Sequence, residues 1–390
     1  MARVHLLSPI SIRSIVARNR IVVAPMCQYS AHEGLANDFH LVHLGQFATG
    51  GAGIVMSEAT AVTAQGRISH GDLGIYDDLH IERLKQITSF VKSHGAVPAI
   101  QLAHAGRKAS SRAGWLGGAA LDESDEERGL TPWATIGPSA VAQNGWPVPM
   151  EMTKPMITET ILAWATAARR AVAAGFEIIE LHGAHGYLLH QFLSPISNRR
   201  ADEYGGDFYA RTRFVREVVE AIRSVIPNEM PLFFRVSAVD GSDGEWTLED
   251  SVALARVLKS IGVDVIDCSS GGMLSASPSR IVPRGYGFQI PYAARIKHEA
   301  DISTMAVGLI VHPLQAEEAL KNNETDLIAL GRELLNVPNW PLHAARYFDG
   351  GYEAWPDVYG YWLSKRDQLT RTLECPISWG SGQMTQKLQK

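Results

Sequence analysis

Two histidines and a tyrosine lie within six positions, directly after an apolar segment. The stretch FEIIELHGAHGYLL covers residues 176–189, and its apolar first half predicts a buried strand. His182, His185 and Tyr187 follow where Gly183 breaks the apolar run. All three side chains can donate or transfer protons. Since ligands bind at the carboxyl ends of the strands in a parallel barrel, this stretch predicts an active site.

The histidine pair allows two chemical interpretations from the residues alone. His182 and His185 could bind zinc, as in barrel hydrolases, or donate hydrogen bonds to a developing oxyanion. A zinc site needs further histidine or carboxylate ligands at neighbouring strand ends. The first strand end carries Pro-Met-Cys at 25–27, and the last carries Gly-Arg at 331–332. Because neither suits a metal, oxyanion binding is preferred and no metal is expected.

Two other candidates have a simpler structural explanation. His40 and His43 show the same spacing, but they lie in a predicted amphipathic helix and are interpreted as structural. Cys27 follows the first strand, where a cysteine is either reactive or a small buried hydrophobic residue. The sequence leaves both alternatives open for Cys27.

Glycines and an arginine follow the last three predicted strands. They are Ser-Gly-Gly at 270–272, Gly308, and Gly-Arg at 331–332. Barrel enzymes often bind phosphate at these loops, because glycine lets backbone N–H groups approach the anion and arginine supplies charge. One glycine-containing loop would indicate only a tight strand end. Three together indicate a phosphate-bearing cofactor.

Strand and helix patterns alternate along most of the chain, which predicts βαβ units and a parallel sheet. The eight predicted strands are 20–25, 53–59, 97–103, the first half of 176–189, 231–238, 263–269, 304–310 and 326–330. This number favours an α/β fold of the TIM (β/α)8 barrel type, with residues 1–390 forming a single domain. Residues 104–155 lack strong periodicity and predict a lid inserted after the third strand. The aromatic-rich tail, 350–390, is expected to cover a barrel end or pack on a second subunit.

Composition indicates a globular protein. The chain has 390 residues, a hydrophobic fraction of 46% and a formal net charge of −5. The charge argues against nucleic-acid binding, and no apolar run reaches membrane-spanning length. The amino terminus lacks the apolar region of a signal peptide. Three dispersed cysteines fit a reducing compartment and give no iron–sulfur cluster motif. A cytoplasmic protein without a membrane or nucleic-acid partner is expected.

Several long segments resemble one known family. These segments are PMCQYS (25–30), SEATAVTAQGR (57–67), QLAHAGRK (101–108), HGAHGYLLHQFLSPISNRRADEYGG (182–206), FRVS (234–237), DVIDCSSGG (264–272) and ALGRELL (329–335). Together they resemble the Old Yellow Enzyme family, over roughly residues 5–348. The cysteine just after the first strand is similar to that of the thermophilic-like branch, which includes xenobiotic reductases. The acidic segment 122–128 and the chain beyond Trp362 match no motif of this family.

The resemblance implies a TIM barrel that binds FMN and uses NADPH or NADH as reductant. The residues implied to contact FMN are Ala24, Pro25, Met26, Cys27, Ala59, Gln101, Arg235, Gly308, Gly331 and Arg332. Cys27 is implied to be a catalytic residue, with its thiol near the reactive nitrogen and carbonyl edge of the flavin. Arg235 is implied to lie at its pyrimidine end, where a cation stabilises the negative charge of the reduced form. Gly308, Gly331 and Arg332 are implied to hold the phosphate, in agreement with the loop pattern.

The resemblance also implies a reaction. His182 and His185 would bind the acceptor oxygen of an activated alkene, such as an enone or maleimide, or of a nitro compound. Hydride would reach the β-carbon from FMN, and Tyr187 would give a proton to the α-carbon from the other face, a net trans addition. Tyr29 would lie in the substrate site. A homodimer or higher oligomer is expected, with Tyr359 or Trp362 as candidates to reach a neighbouring subunit.

Three competing functions remain at this stage. A dienoyl-CoA reductase shares the barrel but adds an iron–sulfur cluster, for which the cysteines are too few and too dispersed. A metal-dependent hydrolase would use the histidine pair as ligands. A flavin-storing or flavin-sensing protein would hold the cofactor without turnover. An FMN-dependent ene-reductase is the favoured interpretation.

Overall fold

Eight parallel strands close into a barrel in the computed structural model, which describes residues 4–241, 245–273 and 282–371. The strands of the described residues are β1 Ile10–Ile12, β2 Ile15–Ala17, β3 Ile21–Val23, β4 Ile54–Ala61, β5 Val97–Ala103, β6 Ile136–Gly137, β7 Met150–Glu151, β8 Ile178–Gly183, β9 Leu232–Ser237, β10 Val265–Ser269, β11 Ser303–Ala306 and β12 Leu327–Leu330. The barrel order is β3-β4-β5-β8-β9-β10-β11-β12, with β12 paired to β3. Each predicted strand overlaps a barrel strand, so the prediction of a TIM barrel is confirmed.

Helices follow most of the barrel strands and form the outer layer. They are α1 Asp38–Thr49, α2 Leu79–Ser93, α3 Lys154–Ala173, α4 Leu188–Leu193, α5 Phe208–Arg223, α6 Leu248–Ser260, α7 Ile290–Ala300, α8 Pro313–Lys321, α9 Arg332–Asn336, α10 Trp340–Asp349 and α11 Asp357–Thr370. Polar side chains begin several of them, because they accept hydrogen bonds from free backbone N–H groups of the first turn. Thr153 does this for α3, Asp207 for α5 and Thr247 for α6. No helix in the described ranges is long and apolar enough to cross a membrane.

His40 has a structural position in α1. Its Nδ1 accepts a hydrogen bond from the Asn37 backbone N–H at 3.1 Å, which completes the capping of this helix. Its Nε2 lies 3.5 Å from Glu58 Oε1, and both side chains are buried. The histidine therefore connects the start of α1 to the neighbouring strand β4, as the structural interpretation of this residue predicts.

The part of the barrel interior nearer the amino ends of the strands is apolar. Side chains alternate between the two faces of a strand, so every second residue points inward. Ile178 of β8, Phe233 of β9 and Val265 of β10 belong to one buried cluster. The antiparallel hairpin β1–β2 adds Ile12 and Ile15 to the same cluster and covers the amino-terminal end of the barrel. This hairpin could not be predicted from the sequence, since three-residue strands are too short to show a pattern.

The inner positions become polar towards the carboxyl ends of the strands. The same alternation that points Ile178 inward also points Glu180 and His182 inward. We use the name polar layer for Gln101, Glu180, Arg235 and Asp267, which follow inward-pointing apolar residues of β5, β8, β9 and β10. All four are buried. The polar layer therefore separates the apolar interior from the open end of the barrel.

The insert at 104–155 is held by its own contacts and by contacts to the barrel loops. Arg112 forms ion pairs with Asp122 at 2.8 Å and Asp125 at 2.6 Å, so the acidic segment has an internal counter-ion. Trp115 places its ring 5.6 Å from that of Tyr29, centroid to centroid. The insert thus reaches the loop after β3, although its action as a lid stays a prediction.

The tail is described as far as residue 371. Trp355 is buried, whereas Tyr359 and Trp362 of α11 are 54% and 69% exposed. Their proposed contact with a neighbouring subunit stays a prediction. Cys375 and the remainder of the tail lie outside the described residues.

Replacing Phe233 by alanine is expected to lower the free energy of unfolding by about 3–5 kcal/mol, because the ring is fully buried inside the barrel. Leu162→Ala is the control, since Leu162 is 60% exposed on α3 and its loss is expected to cost within about 0.5 kcal/mol. Urea titration followed by circular dichroism measures both. Equal effects of the two substitutions would contradict this account of the barrel interior.

Candidate functional site

His182, His185 and Tyr187 lie together at the carboxyl end of β8. The ring centroids of His182 and His185 are 5.0 Å apart, and those of His182 and Tyr187 are 5.1 Å apart. His182 is the last inward-pointing residue of the strand, and the other two lie in the loop that leads into α4. The structure therefore brings the three predicted catalytic side chains into one cluster.

Hydrogen bonds from neighbouring strands fix the His185 loop. The His185 backbone N–H donates to Ser237 Oγ at 3.0 Å, and its Nε2 lies 2.6 Å from Ser269 Oγ. Gly186 and Gly272 both have positive φ, +75° and +92°. A Cβ atom on Gly272 would overlap the backbone of His185, and one on Gly186 would overlap the carbonyl of Gly272. Glycine is thus required where the loops after β8 and β10 meet.

Lys108 connects three loops around the same cluster. Its Nζ donates to the carbonyl oxygens of His185 at 2.8 Å and Gly272 at 3.3 Å. It also lies 5.1 Å from the ring centroid of Tyr187, within the range of a cation–π contact. Burial, with a further contribution from Arg107, lowers the pKa of Lys108 to about 8. The ammonium form therefore predominates at neutral pH.

Burial favours the neutral forms of the clustered side chains. It lowers the pKa of His182 and of His185 well below the usual value, and the charge of Arg235 lowers both further. Both imidazoles are therefore neutral at pH 7, and each carries one N–H. Burial also raises the pKa of Tyr187 well above its usual value, so its phenol keeps its proton. His182 Nδ1 is buried and has no hydrogen-bond partner among the described residues, so it is free to bind a ligand atom.

Cys27 and Tyr29 adjoin Tyr187. All three pack against one small buried cluster that consists of Ile68, Ala105 and Ala109. Burial raises the pKa of Cys27 well above its usual value, and the charges of Asp72 and Glu58 raise it further. Cys27 is consequently a protonated thiol at neutral pH and lacks the thiolate character of an activated nucleophile.

A cavity of about 270 Å³ opens beside the cluster at the carboxyl end of the barrel. His185, Arg235, Gly308 and Arg332 are among its lining residues, together with Ser269 and the glycines at 271–272. Residues that follow β10, β11 and β12 therefore face one space, as the loop pattern predicts. Three guanidinium groups line the cavity, those of Arg235, Arg284 and Arg332, and they suit an anionic ligand.

The other residues implied to contact FMN lie at the neighbouring strand ends. The Ala24 backbone N–H donates to the Leu330 carbonyl at 2.9 Å. A Cβ atom on Gly331 would lie 3.5 Å from Met26 Sδ, an ordinary contact distance, so the loops after β3 and β12 are side by side. Pro25 lies between Ala24 and Met26.

Two further implied contacts are paired across adjacent strands. Ala59 of β4 and Gln101 of β5 are register partners, next to an irregularity in β4 between Ser57 and Ala59. Gln101 belongs to the polar layer, so its side chain lies between the apolar interior and the open, carboxyl end of the barrel.

Several residues of this site were missed by sequence reasoning. Ser237 and Ser269 end strands β9 and β10, so a search of strand ends for hydroxyl groups would have found them. Lys108 ends the segment QLAHAGRK (101–108). Its role depends on a contact with His185, 77 residues further along the chain, which the sequence does not show. Gln289 lines the cavity and donates to the Val307 carbonyl at 2.9 Å. No sequence signal identifies it.

The described residues offer no metal site at this position. Within 4–241, 245–273 and 282–371, no three His, Cys, Asp or Glu side chains form a group that could hold a metal ion. The nearest oxygen to His185 Nε2 is the hydroxyl of Ser269, at 2.6 Å, which is a hydrogen-bonding distance. These contacts suit hydrogen-bonding imidazoles.

Comparisons with known proteins identify the family. Residues 5–348 match the family model described as the NADH:flavin oxidoreductase / NADH oxidase family. The chain is 47% identical over 344 residues to an NADPH dehydrogenase of Bacillus cytotoxicus, which covers 87% of this chain and 92% of that protein. It is 46% identical over 348 residues to an NADPH dehydrogenase of Bacillus licheniformis, covering 89% of this chain and 95% of that protein.

Solved structures share the fold. Morphinone reductase superposes with a TM-score of 0.72 at 23% identity, covering 88% of this chain and 89% of that chain. A 2-naphthoyl-CoA reductase, solved with 2-naphthoyl-CoA, gives a TM-score of 0.78 at 25% identity. That match covers 89% of this chain but 52% of the other, so the present chain spans about half of that longer protein. The chain therefore belongs to the NADH:flavin oxidoreductase / NADH oxidase family, the Old Yellow Enzyme family of TIM-barrel oxidoreductases that use FMN and NAD(P)H.

Proposed function

We propose that this oxidoreductase is an ene-reductase that acts on activated alkenes. Its substrates would carry an electron-withdrawing oxygen group, as enones, maleimides and nitro compounds do. One observation carries the proposal: the neutral imidazole of His182 lies about 5 Å, centroid to centroid, from both the neutral imidazole of His185 and the protonated phenol of Tyr187, beside a cavity with three guanidinium groups. Hydrogen-bond donors for an oxygen and a separate proton donor are what reduction of a polarised double bond requires.

The residues around the cavity fit FMN. Arg332 and Gly308 would bind its phosphate, because a guanidinium group and an accessible backbone suit that anion. Gly308 has φ +120°, a conformation that residues with a side chain rarely adopt, so glycine is favoured at this position. Arg235 would lie at the pyrimidine end, since it lines the same cavity as Gly308 and Arg332. The loop after β3, Ala59 and Gln101 would complete the flavin contacts.

The two histidines would bind the acceptor oxygen of the substrate. When bound, FMN would supply the hydride for the β-carbon, with NADPH or NADH as its source. Negative charge then develops on the acceptor oxygen, and N–H donors held at fixed positions stabilise such charge. His182 Nδ1 is available for this contact because it lacks another partner in the described part of the chain. Ser269 fixes the ring of His185.

Tyr187 would donate the proton to the α-carbon. Its raised pKa keeps the phenol protonated at neutral pH, as a general acid requires. Cys27 and Tyr29 would form the neighbouring wall of the substrate site, because they pack on the same small cluster as Tyr187. Proton delivery from the face opposite the flavin would give net trans addition.

Tyr187→Phe is expected to slow alkene reduction by about 10²–10⁴-fold, the usual contribution of a general acid. Reduction of the flavin by NADPH should change little, because that half-reaction needs no proton from Tyr187. Anaerobic stopped-flow measurement of the two half-reactions, with a panel of enones, maleimides and nitro compounds as oxidants, checks this. Tyr209→Phe, on the exposed surface of α5, is the control.

Equal losses in both half-reactions of the Tyr187→Phe variant would show that Tyr187 is not the proton donor. If the reduced wild-type flavin were not reoxidised by any acceptor in the panel, the ene-reductase function itself would be wrong.

Replacing His182 and His185 together by alanine is expected to weaken the binding of a phenolic ligand by about 100-fold or more, since hydrogen bonds to charged groups contribute about 1.5–3 kcal/mol each. The loss of the charge-transfer absorbance between phenolate and flavin measures it. In the wild type, affinity between pH 6 and 8 should not follow an imidazole titration, because both pKa values lie well below this range.

His298→Ala is the matched control for the double histidine variant, since His298 is exposed in the last turn of α7. Unchanged phenol binding in the double variant would contradict the proposed acceptor site.

A further inference from the structure

The polar layer contains two carboxyl groups but one cation. Glu180 and Asp267 are both fully buried, and Arg235 is 7% exposed. Arg235 Nε lies 3.1 Å from Asp267 Oδ2, so these two side chains form an ion pair. Glu180 Oε1 instead accepts a hydrogen bond from Gln101 Nε2 at 2.7 Å. Glu180 Oε2 is buried and has no hydrogen-bond partner among the described residues, and the same holds for both carboxylate oxygens of Asp267, so the ion pair with Arg235 is what distinguishes the two carboxyl groups.

Strand register explains this distribution of contacts. Arg235 of β9 is the register partner of Asp267 on β10, and also of His182 on β8. Glu180 is the register partner of Phe233, which comes two residues before Arg235 on β9. On its other side, Glu180 is the register partner of Gln101 on β5. The guanidinium group therefore has a carboxylate beside it on one side only, and Glu180 has an uncharged amide as its nearest polar contact.

Buried charges without a paired counter-ion are unfavourable, and two carboxyl groups near one cation do not both ionise at low cost. Burial raises the pKa of Glu180 well above its usual value, and the charge of Asp267 raises it further, against a smaller opposing effect of Arg235. Burial also raises the pKa of Asp267, but there the adjacent Arg235 opposes it. Proton uptake therefore favours Glu180.

We propose that Glu180 is a neutral carboxylic acid and that Asp267 is the ionised carboxylate of the polar layer, so that Asp267 controls how much of the Arg235 charge acts on the flavin. The electrostatic part of this proposal depends on the proposed position of FMN against Arg235. The protonation of Glu180 does not depend on it. Asp267 is a positioning residue in this arrangement, since it acts through Arg235.

The two carboxyl groups then have different effects on the flavin. Reduced flavin carries more negative charge than oxidised flavin, so an unpaired Arg235 would stabilise the reduced form. Asp267→Asn removes the counter-ion of Arg235 and should raise the midpoint potential. Glu180→Gln replaces one neutral group by another of the same shape and should leave the potential unchanged. The two substitutions are isosteric and serve as matched controls for each other.

Spectroelectrochemical titration of the FMN-loaded protein tests this difference. Asp267→Asn is expected to increase the ratio of reduced to oxidised flavin at fixed potential by about tenfold, which is about 30 mV for a two-electron couple. Glu180→Gln is expected to change this ratio by less than about twofold. A shift of the same size in Glu180→Gln would overturn the proposal, because it would mean that Glu180 is charged in the wild type.

Infrared spectroscopy tests the proton on Glu180 without reference to flavin chemistry. A carboxylic acid has a C=O stretching band that shifts in D₂O and is absent from a carboxylate. This band should be present in the wild-type protein at pH 8 and lost in Glu180→Gln. Asp72 is the main interfering group, since burial raises its pKa to about 7, and it is largely ionised at pH 8. Asp72→Asn provides the correction.

The two measurements separate the possible failures. A wild-type infrared spectrum without the Glu180 band would overturn the proposal, whatever the flavin potentials of the variants are. This measurement can be made even if the Asp267→Asn variant does not fold. If the band is present but neither variant shifts the potential, the flavin does not lie against Arg235. That outcome would contradict the proposed cofactor position and the control by Asp267 together, while alkene reduction by the wild type would still be tested by the acceptor panel.

Discussion

The inward and outward alternation of side chains in a closed parallel barrel is the constraint on which this protein depends. Along β8 it directs Ile178, Glu180 and His182 to the same inner face, at successive heights. One short strand therefore contributes to the apolar interior, to the polar layer and to the cluster of His182, His185 and Tyr187. A register shift of one residue would turn all three side chains outward towards the helices. Burial of Ile178 in the apolar cluster inside the barrel opposes such a shift.

Burial has a second consequence, which is electrostatic. It favours the uncharged forms of His182, His185, Tyr187 and Cys27. Positive charge at the cavity comes from guanidinium groups instead. In the proposed function this separation would place cations beside the cofactor phosphate and the reduced flavin, and neutral donors beside the substrate oxygen.

The barrel and the central cluster could be predicted from the sequence because their signals are local. Each barrel strand is a short apolar run, and His182, His185 and Tyr187 follow one of these runs within six positions. Contacts between segments that are far apart in the sequence leave no such local signal and could not be predicted. Lys108 and Ser269 acquire their roles only when separate loops meet at the carboxyl end of the barrel.

Elements without a regular pattern were also missed. The β1–β2 hairpin has strands of three residues each, and α4 is buried on all sides, so it lacks the polar face of an amphipathic helix. The sequence shows Glu180 only as one polar residue within an apolar strand. Its significance comes from Asp267 and Arg235, which lie on other strands of the barrel.

Lys108 has a consequence for attempts to modify this enzyme. Its ammonium group joins the segment after β5 to the backbone of the segments after β8 and β10. A chimera whose imported segment lacks the lysine would leave the two carbonyl oxygens without this partner, and one whose loops after β8 and β10 follow a different path would take those oxygens away from the ammonium group. The three segments therefore form one transferable unit, and recombination of family members should exchange them as a set.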